Sequence, residues 1–273
     1  MEQNLLDLRA KGVIVAAHRG TSGGNIVQNT TLAYKNSLLH QADMVEVDVT
    51  MSKDGVFYAF HDGQEALVFG KQLDIRQLNA AEIDALPCIN SLGEVVEQRL
   101  ERVSNVLDNL KDTCFINVDR SWFYWNTFLK ELKASTILPR ILLKSPAQKA
   151  LLDQLVEANI NVMYMPIIKT VEELELALSY SNLNIVALEL VFESLDSPLL
   201  DEARIANLKK QGYLLWCNAL RLNDETILSG GIDDQLALEK GPEASWGRLI
   251  AMGFDIIQTD WPMPLKAYIN SIQ

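Results

Sequence analysis

Cysteine is scarce in this chain. Three cysteines, Cys88, Cys114 and Cys217, are spread over 273 residues, and no two of them have the CxxC spacing. An odd number of widely separated cysteines favours neither a disulfide framework nor a zinc site. We therefore expect a protein that works in a reducing compartment.

Positive charge is also in short supply. Lys and Arg together number 24 against 36 Asp and Glu, and the formal net charge is −12. Nucleic-acid-binding proteins need clustered Lys and Arg to neutralise phosphates, so no nucleic-acid partner is expected. The same charge disfavours docking on anionic membranes. A small anionic substrate remains open, because a bound metal and a single Arg can outweigh the overall field.

The sequence also lacks long apolar runs. No stretch approaches the apolar length that a membrane-spanning helix needs, and residues 1–8 are acidic, without the apolar run of a signal peptide. We therefore expect a cytoplasmic protein without stable membrane insertion. No GxGxxG loop follows the first predicted strand, which weakens a dinucleotide-binding interpretation.

The most informative stretch that is present covers residues 44–62. Its first half is a Val-rich strand in which Glu46 and Asp48 stand two residues apart, and therefore on the same face. Residues 53–55, Lys-Asp-Gly, are typical of a turn, after which a second strand ends at His61. Two buried carboxylates on one face are costly unless a cation lies between them, and a hard divalent metal suits oxygen ligands. The alternative is a solvated strand face with salt-bridge partners, which a Val-rich strand disfavours.

Short apolar strands alternate with helices along the rest of the chain. Besides the strand that opens at residue 44, strands are predicted at residues 13–17, 114–119, 140–144, 161–168, 184–191, 213–218 and 254–259. Alternation of this kind predicts a parallel sheet, and eight units in this length predict an α/β fold, a (β/α)8 TIM-type barrel. An open doubly wound sheet is the alternative.

We predict a single domain over residues 1–273, with two interruptions of the alternation. The first is a small insertion after the second strand, at about 63–92, and the second is an irregular insertion at about 222–241. Ser91 and Glu94 form a capping-box pattern that predicts a helix from there to about Leu110.

Polar residues end the apolar strands, and the ends of parallel barrel strands meet at one mouth. They are His18, Arg19, Glu46, Asp48, His61, Asn117, Asp119, Lys144, Glu189, Trp216, Asn218, Thr259 and Asp260. The acids at 46, 48 and 119 predict a site for one divalent cation, Mg²⁺ or Ca²⁺. The two histidines can serve as acid and base, and Arg19 offers a fork for a phosphate. This combination indicates phosphoester chemistry.

The same residues resemble the glycerophosphodiester phosphodiesterase family in order and spacing. The matching motifs are His18-Arg19-Gly20, Asn29-Thr30, Ala42-Asp43, Glu46-Val-Asp48, Lys53-Asp54-Gly55, His61-Asp62, Trp216 with Asn218, and Thr259-Asp260 before Pro262. The resemblance implies a TIM-type barrel with a subdomain inserted after the second strand, and hydrolysis of glycerophosphodiesters to glycerol phosphate and an alcohol. It also implies that His18 and His61 are the catalytic pair, that Glu46 and Asp48 bind the metal, and that Arg19 binds the phosphate.

The chain departs from the family pattern at three positions. Asp119 stands where the family commonly has Glu as third acidic ligand, Gln28 stands where it usually has Glu, and Ser121 where it often has Lys. Lys144 is a candidate to replace that lysine charge and bind substrate. The alternative is that its side chain simply extends from the end of the strand without contacting substrate. Trp216 is interpreted as a wall of the substrate pocket rather than as core packing, whereas Glu189 and Asp260 are interpreted as structural.

Two alternative functions stay open. A lysophospholipid phosphodiesterase or lyase of the same fold would need an apolar groove beside the mouth, for which Leu67, Val68 and Phe69 of the first insertion are candidates. A non-catalytic barrel that binds a phosphoester is the other. The departing alcohol and the oligomeric state stay undetermined.

Overall fold

A computed structural model describes residues 4–273 and shows a closed barrel. Its strands are β1 Ile14–Ala17, β2 Met44–Met51, β3 Phe57–Ala59, β4 Phe115–Asp119, β5 Ile141–Pro146, β6 Met163–Ile168, β7 Ala187–Leu190, β8 Leu214–Asn218 and β9 Ile256–Thr259. The sheet order is β1-β9-β8-β7-β6-β5-β4-β2, and the pairing of β1 with β2 closes the ring. Strand β3 pairs antiparallel with β2, which confirms the predicted hairpin. The predicted eight-stranded parallel barrel is therefore confirmed.

Helices cover the outside of the ring and the loops. They are α1 Leu5–Arg9, α2 Thr31–Leu39, α3 Glu65–Phe69, α4 Ala80–Asp84, α5 Val103–Leu110, α6 Trp125–Lys133, α7 Lys149–Ala158, α8 Val171–Leu178, α9 Glu202–Lys210, α10 Asp234–Lys240, α11 Trp246–Ala251 and α12 Pro262–Ile272. Polar side chains begin several of them: Thr30 accepts from Ala33 N at α2, and Thr170 forms a capping box with Glu173 at α8. Within residues 4–273, no helix combines the length and apolarity needed to cross a bilayer.

The inner face of the barrel changes character along each strand. At the end where the strands begin, the interior is apolar and contains Met44, Phe115, Leu142 and Trp216. Two residues further along, the same face is polar: Glu46 follows Met44, Asn117 follows Phe115, and Lys144 follows Leu142. Because residues two apart on a strand point to the same side, a layer of polar side chains lies directly above a layer of apolar side chains inside the barrel. We call the apolar layer the floor of the barrel.

The helix predicted from Ser91 is wrong at its beginning, because α5 begins only at Val103. The Asn90 side chain instead accepts from the backbone N–H groups of Leu92 and Glu94, which holds a turn there. Val96 and Leu100 are four residues apart, as on a helix, but both are buried in the separate core of the first insertion.

The second insertion was predicted to be irregular. The structure shows that it contains helix α10. Asp233 caps this helix by accepting from Leu236 N at 2.9 Å. The next residue, Asp234, is buried and accepts from Thr259 Oγ1, Trp246 Nε1 and Asp260 N, each at 2.8 Å. Burial raises the pKa of Asp234 to about 7 despite these three donors. The insertion is thus fastened to the end of β9 by one carboxylate.

We expect Asp234→Ala to lower the free energy of unfolding by about 2–4 kcal/mol, because three buried donors lose their acceptor. Urea denaturation at constant pH measures the loss. Asp224→Ala is the control: its carboxylate is exposed and pairs with Arg221 at the surface, so the expected loss is at most about 0.5 kcal/mol. Similar losses in the two variants would contradict the fastening of the insertion through Asp234.

Candidate active site

Three carboxylates converge at the mouth of the barrel. The parallel pairing of β2 with β4 places Glu46 beside Asn117 and Asp48 beside Asp119. Carboxylate oxygens of Glu46, Asp48 and Asp119 all lie within 4.8 Å of one another. The structure therefore brings together the three acids that the sequence predicted as metal ligands.

The donor set of this acidic cluster fits a hard divalent cation. Glu46 Oε2 accepts from the backbone N–H of Arg19 at 2.8 Å, but Glu46 Oε1 is buried without a hydrogen-bond partner. Burial, followed by the charge of Asp48, raises the pKa of Glu46 well above its usual value. Buried carboxylate oxygens that lack donors are the ligands that Mg²⁺ and Ca²⁺ use. Asn117 Oδ1, on the neighbouring strand, is likewise buried without a partner.

A buried lysine balances part of this negative charge. Lys144 Nζ donates to Asp119 Oδ2 at 2.7 Å and lies 3.2 Å from Glu189 Oε2. Although burial lowers the pKa of this lysine, Asp119 and Glu189 together raise it above its usual value. Lys144 is therefore an ammonium ion inside the barrel. Asp119 Oδ1 also accepts from Arg120 N at 2.6 Å, so both of its oxygens have donors.

Trp216 lies beneath this lysine in the apolar floor of the barrel. Its ring centroid is 5.9 Å from Lys144 Nζ, and its Nε1–H donates to Asn218 Oδ1 at 2.8 Å. Asn218 in turn donates to Glu189 Oε1 at 2.7 Å. Trp216 is fully buried in the core of the barrel. Lys144 is buried as well, and its contacts are with the acids; direct binding of substrate by these two residues stays a prediction.

His61 reaches the same mouth from the antiparallel strand. Its Nδ1 lies 2.7 Å from the backbone oxygen of Asp62, a contact that places the proton on Nδ1 and leaves Nε2 free to accept. Burial is the main reason that the pKa of His61 is lower than usual, and the cations Arg19 and Arg120 act in the same direction. Asp62 itself forms an ion pair with Arg120. His61 is thus a neutral imidazole near neutral pH.

His18 has a partner that the sequence interpretation missed. Its Nδ1 lies 2.8 Å from Asp260 Oδ1, and its backbone N–H donates to Thr259 O. From the sequence, Asp260 has only a structural interpretation. Closure of the barrel explains the pairing, because β1 lies beside β9 with Ala17 opposite Thr259, and the next residues then face each other. The sequence predicts this contact only if the first and last strands of the barrel are assumed to lie side by side.

Arg19 contacts the acidic cluster from a backbone conformation that non-glycine residues rarely adopt. Its φ is 53°, and Nε lies 3.1 Å from Asp48 Oδ2. Asn29, with φ of 57°, donates to the same oxygen at 3.0 Å. Burial raises the pKa of Asp48, but Arg19, His61 and Asn29 together lower it below its usual value. Strained backbone of this kind is concentrated at functional sites.

The structure also locates residues near the mouth that the sequence had singled out. Val68 and Phe69 are buried in the core of the first insertion, so they do not form the apolar groove that the lysophospholipid alternative required of them. Ser121, at the position of the expected lysine, is buried and accepts from Trp125 Nε1 at 3.1 Å. That position therefore supports helix α6.

We expect Lys144→Met to lower the free energy of unfolding by about 3 kcal/mol near pH 7, because loss of the ammonium leaves buried carboxylates unbalanced. Urea denaturation measures the loss. Lys149→Met is the matched control, since Lys149 pairs with Asp153 on an exposed helix face and should contribute at most about 0.5 kcal/mol. Equal losses in the two variants would contradict a structural contribution of the buried lysine.

Solved structures that superpose on this chain include several glycerophosphodiester phosphodiesterases. A glycerophosphoryl diester phosphodiesterase of Parabacteroides distasonis superposes with a TM-score of 0.74 at 18% identity, over 99% of this chain and 93% of that one. The glycerophosphodiester phosphodiesterase of Thermotoga maritima gives 0.66 at 21% identity, over 94% and 98%. A phosphodiesterase of Oleispira antarctica, solved with the product sn-glycerol-3-phosphate, gives 0.66 at 18% identity, over 96% and 99%. Identities of this size establish a shared fold.

Curated sequences point the same way over shorter stretches. The chain is 36% identical over 69 residues to a lysophospholipase D of Mus musculus, which is 25% of this chain and 21% of that protein. It is 29% identical over 104 residues to a glycerophosphodiester phosphodiesterase of Caldanaerobacter subterraneus, 38% of this chain and 42% of that one. The matches therefore span less than half of either relative. A family described as a domain of unknown function matches residues 164–269. The resemblance to glycerophosphodiester phosphodiesterases that the sequence predicted is confirmed in fold and in sequence.

Proposed function

We propose that this protein is a phosphodiesterase that hydrolyses glycerophosphodiesters to glycerol phosphate and an alcohol. The observation that carries the proposal is the grouping of two imidazoles and one guanidinium around a single buried acidic cluster. Arg19 Nε lies 3.1 Å from Asp48 Oδ2, and its backbone N–H donates to Glu46. His18 precedes Arg19 in the chain, and His61 follows the strand that pairs with β2 beside Asp48. The phosphodiesterases that share the fold support the choice of reaction, including the one solved with sn-glycerol-3-phosphate.

Glu46, Asp48 and Asp119 would hold one divalent cation, Mg²⁺ or Ca²⁺. Four acidic side chains, those of these three residues and of Glu189, face the two cations Arg19 and Lys144, so the acidic groups outnumber the cations by two. A divalent ion has the charge that this cluster lacks. When bound, it would stabilise negative charge on the phosphoryl oxygens.

The side chains of the chain itself would orient the diester and move protons. Arg19 would exchange part of its contact with Asp48 for a bidentate contact with the phosphate. His61, neutral near pH 7, would accept the proton of the nucleophile at Nε2, and His18 would donate a proton to the departing alkoxide. The nucleophile is either water or a neighbouring hydroxyl of the substrate, which would first form a cyclic phosphate.

Two other functions remain as outcomes of the tests. A lysophospholipid phosphodiesterase or lyase is favoured by the lysophospholipase D relative, and a cyclic phosphate that persists as product would identify a lyase. A non-catalytic phosphoester-binding barrel is motivated by Gln28 and Ser121. Tight diester binding without turnover, measured by calorimetry, would identify that case.

The first experiment measures hydrolysis of glycerophosphocholine by purified protein with Mg²⁺ or Ca²⁺, after EDTA treatment, and in His18→Ala and His61→Ala. We expect EDTA to abolish turnover and each substitution to lower kcat/KM by about 10²–10⁴, the usual contribution of an acid or base. Urea midpoints close to that of the unchanged protein establish that the variants are folded. Turnover that survives both chelation and His18→Ala would refute the mechanism.

The second experiment tests Asp260 as a positioning residue for His18. Asp260→Ala should lower kcat by about 10–100-fold with little change in KM, because a freely rotating imidazole donates its proton less often in the productive geometry. Asp260→Asn keeps an acceptor oxygen and should retain more of kcat than the Ala variant, with a shifted pH profile of kcat. Asp196→Ala, on an exposed loop, is the control. An Ala variant with unchanged kcat and pH profile would exclude the positioning function.

A further inference from the structure

The side chain of Asn117 lies inside the barrel, beside the acidic cluster. Asn117 stands opposite Glu46 in the parallel pairing of β4 with β2, and neighbouring strands are about 4.8 Å apart. Phe115, two residues earlier on β4, belongs to the floor of the barrel, and Asp119, two residues later, belongs to the acidic cluster. Because residues two apart on a strand point to the same side, Asn117 also points into the barrel.

Asn117 and Glu46 each have one buried oxygen without a donor. The Asn117 side chain is fully buried, and its Nδ2 donates to Leu142 O at 3.0 Å, which fixes the orientation of the amide. Within residues 4–273, neither Asn117 Oδ1 nor Glu46 Oε1 has a hydrogen-bond partner. Buried acceptors without donors are costly. One cation, together with the water that it binds, can satisfy both oxygens.

Both oxygens of Asp119, in contrast, already have donors. Lys144 Nζ donates to Asp119 Oδ2 at 2.7 Å, and Arg120 N donates to Asp119 Oδ1 at 2.6 Å. A carboxylate that is paired with an ammonium ion attracts a metal less strongly than a free one. Mg²⁺ and Ca²⁺ are surrounded by about six or more oxygens, so three acids leave ligand positions open. Asn117 Oδ1 is a buried oxygen next to the cluster that has no other partner.

We propose that Asn117 is a further cation-binding residue, whose Oδ1 contacts the metal directly or through one bound water. The inference rests on the proposed function only for the presence of a divalent cation in the acidic cluster. Amide oxygens are common ligands of Ca²⁺, and a neutral oxygen adds a ligand without adding another buried negative charge. Asn117 is among the strand-end residues that the sequence singled out, but it had been given no function there.

The experiment is a calorimetric titration of the full chain with Mg²⁺ or Ca²⁺ alone, after treatment with EDTA and removal of the chelator. Asn117→Leu keeps a side chain of similar size but has no oxygen. It should raise the Kd for the cation by about 10–100-fold, the usual effect of losing a residue that supports a bound metal. Asn117→Asp retains an oxygen and should recover most of the affinity that Asn117→Leu loses, because carboxylates are ligands as well.

Ser145→Ala is the matched control. Ser145 is fully buried on the neighbouring strand β5, and its Oγ lies 2.7 Å from Tyr164 Oη. It follows Lys144, which lies inside the barrel, so it points to the opposite side of the sheet. The control therefore loses a buried polar contact but no candidate ligand, and its Kd should be unchanged. Urea midpoints measured without metal establish that the variants are folded. An unchanged Kd in Asn117→Leu, or equal weakening in Ser145→Ala, would overturn the proposal.

Cation binding and turnover of glycerophosphocholine are separate measurements, so this inference and the proposed function can fail separately. Binding that Asn117→Leu weakens, in a protein that does not hydrolyse the diester, supports the inference and refutes the phosphodiesterase proposal. Hydrolysis that EDTA abolishes, with a Kd for the cation that Asn117→Leu leaves unchanged, overturns the inference and supports the phosphodiesterase proposal. A protein that binds neither cation overturns the inference together with the metal-dependent mechanism.

Discussion

Burial of like charges is the constraint on which the rest of this structure depends. Glu46 and Asp48 lie in the interior of a barrel mouth, where an isolated carboxylate is strongly disfavoured. Three neighbouring side chains reduce that cost: Arg19 and Asn29 contact Asp48 from left-handed backbone conformations, and Lys144 lies inside the ring beside Asp119. Acidic groups still outnumber the cations around this cluster, which could therefore hold a metal ion. This excess of acidic groups is unfavourable in the free protein and would favour the binding of a divalent cation.

The position of the lysine separates this barrel from the pattern that the family resemblance implied. A lysine two residues after the third acid would extend from the loop beyond β4, where Ser121 is found, buried against Trp125. Lys144 instead comes from the interior of β5 and is held by Asp119, Glu189 and the face of Trp216. A cation on a strand is fixed more firmly than one on a loop. It also neutralises Asp119 from within, which suits a side chain one methylene shorter than the Glu usual there.

The barrel and its acidic cluster were predictable because both follow from local periodicity. Apolar strands of four to eight residues define the eight units, and the period of two places Glu46 and Asp48 together without any knowledge of distant contacts. Features that depend on contacts remote in sequence were not predictable in this way. Val96 and Leu100 mimic a helix because the insertion core buries them, and Asp234 has no local pattern that indicates its three distant donors. The burial of Trp216 depends on its height along the barrel axis, where it joins the apolar cluster inside the barrel, and the sequence of β8 alone does not give that height.

The contact between His18 and Asp260 joins the first strand of the barrel to the last. More than two hundred residues must fold between them before the imidazole acquires its partner. A growing chain therefore contains the acids and both histidines before β9 has been synthesised. Without β9 and the residue that follows it, the contact between His18 and Asp260 is missing. Folds with many contacts of such long range tend to fold more slowly than folds dominated by local contacts. Under the proposed function, the candidate site would therefore be complete only once β9 has joined the barrel.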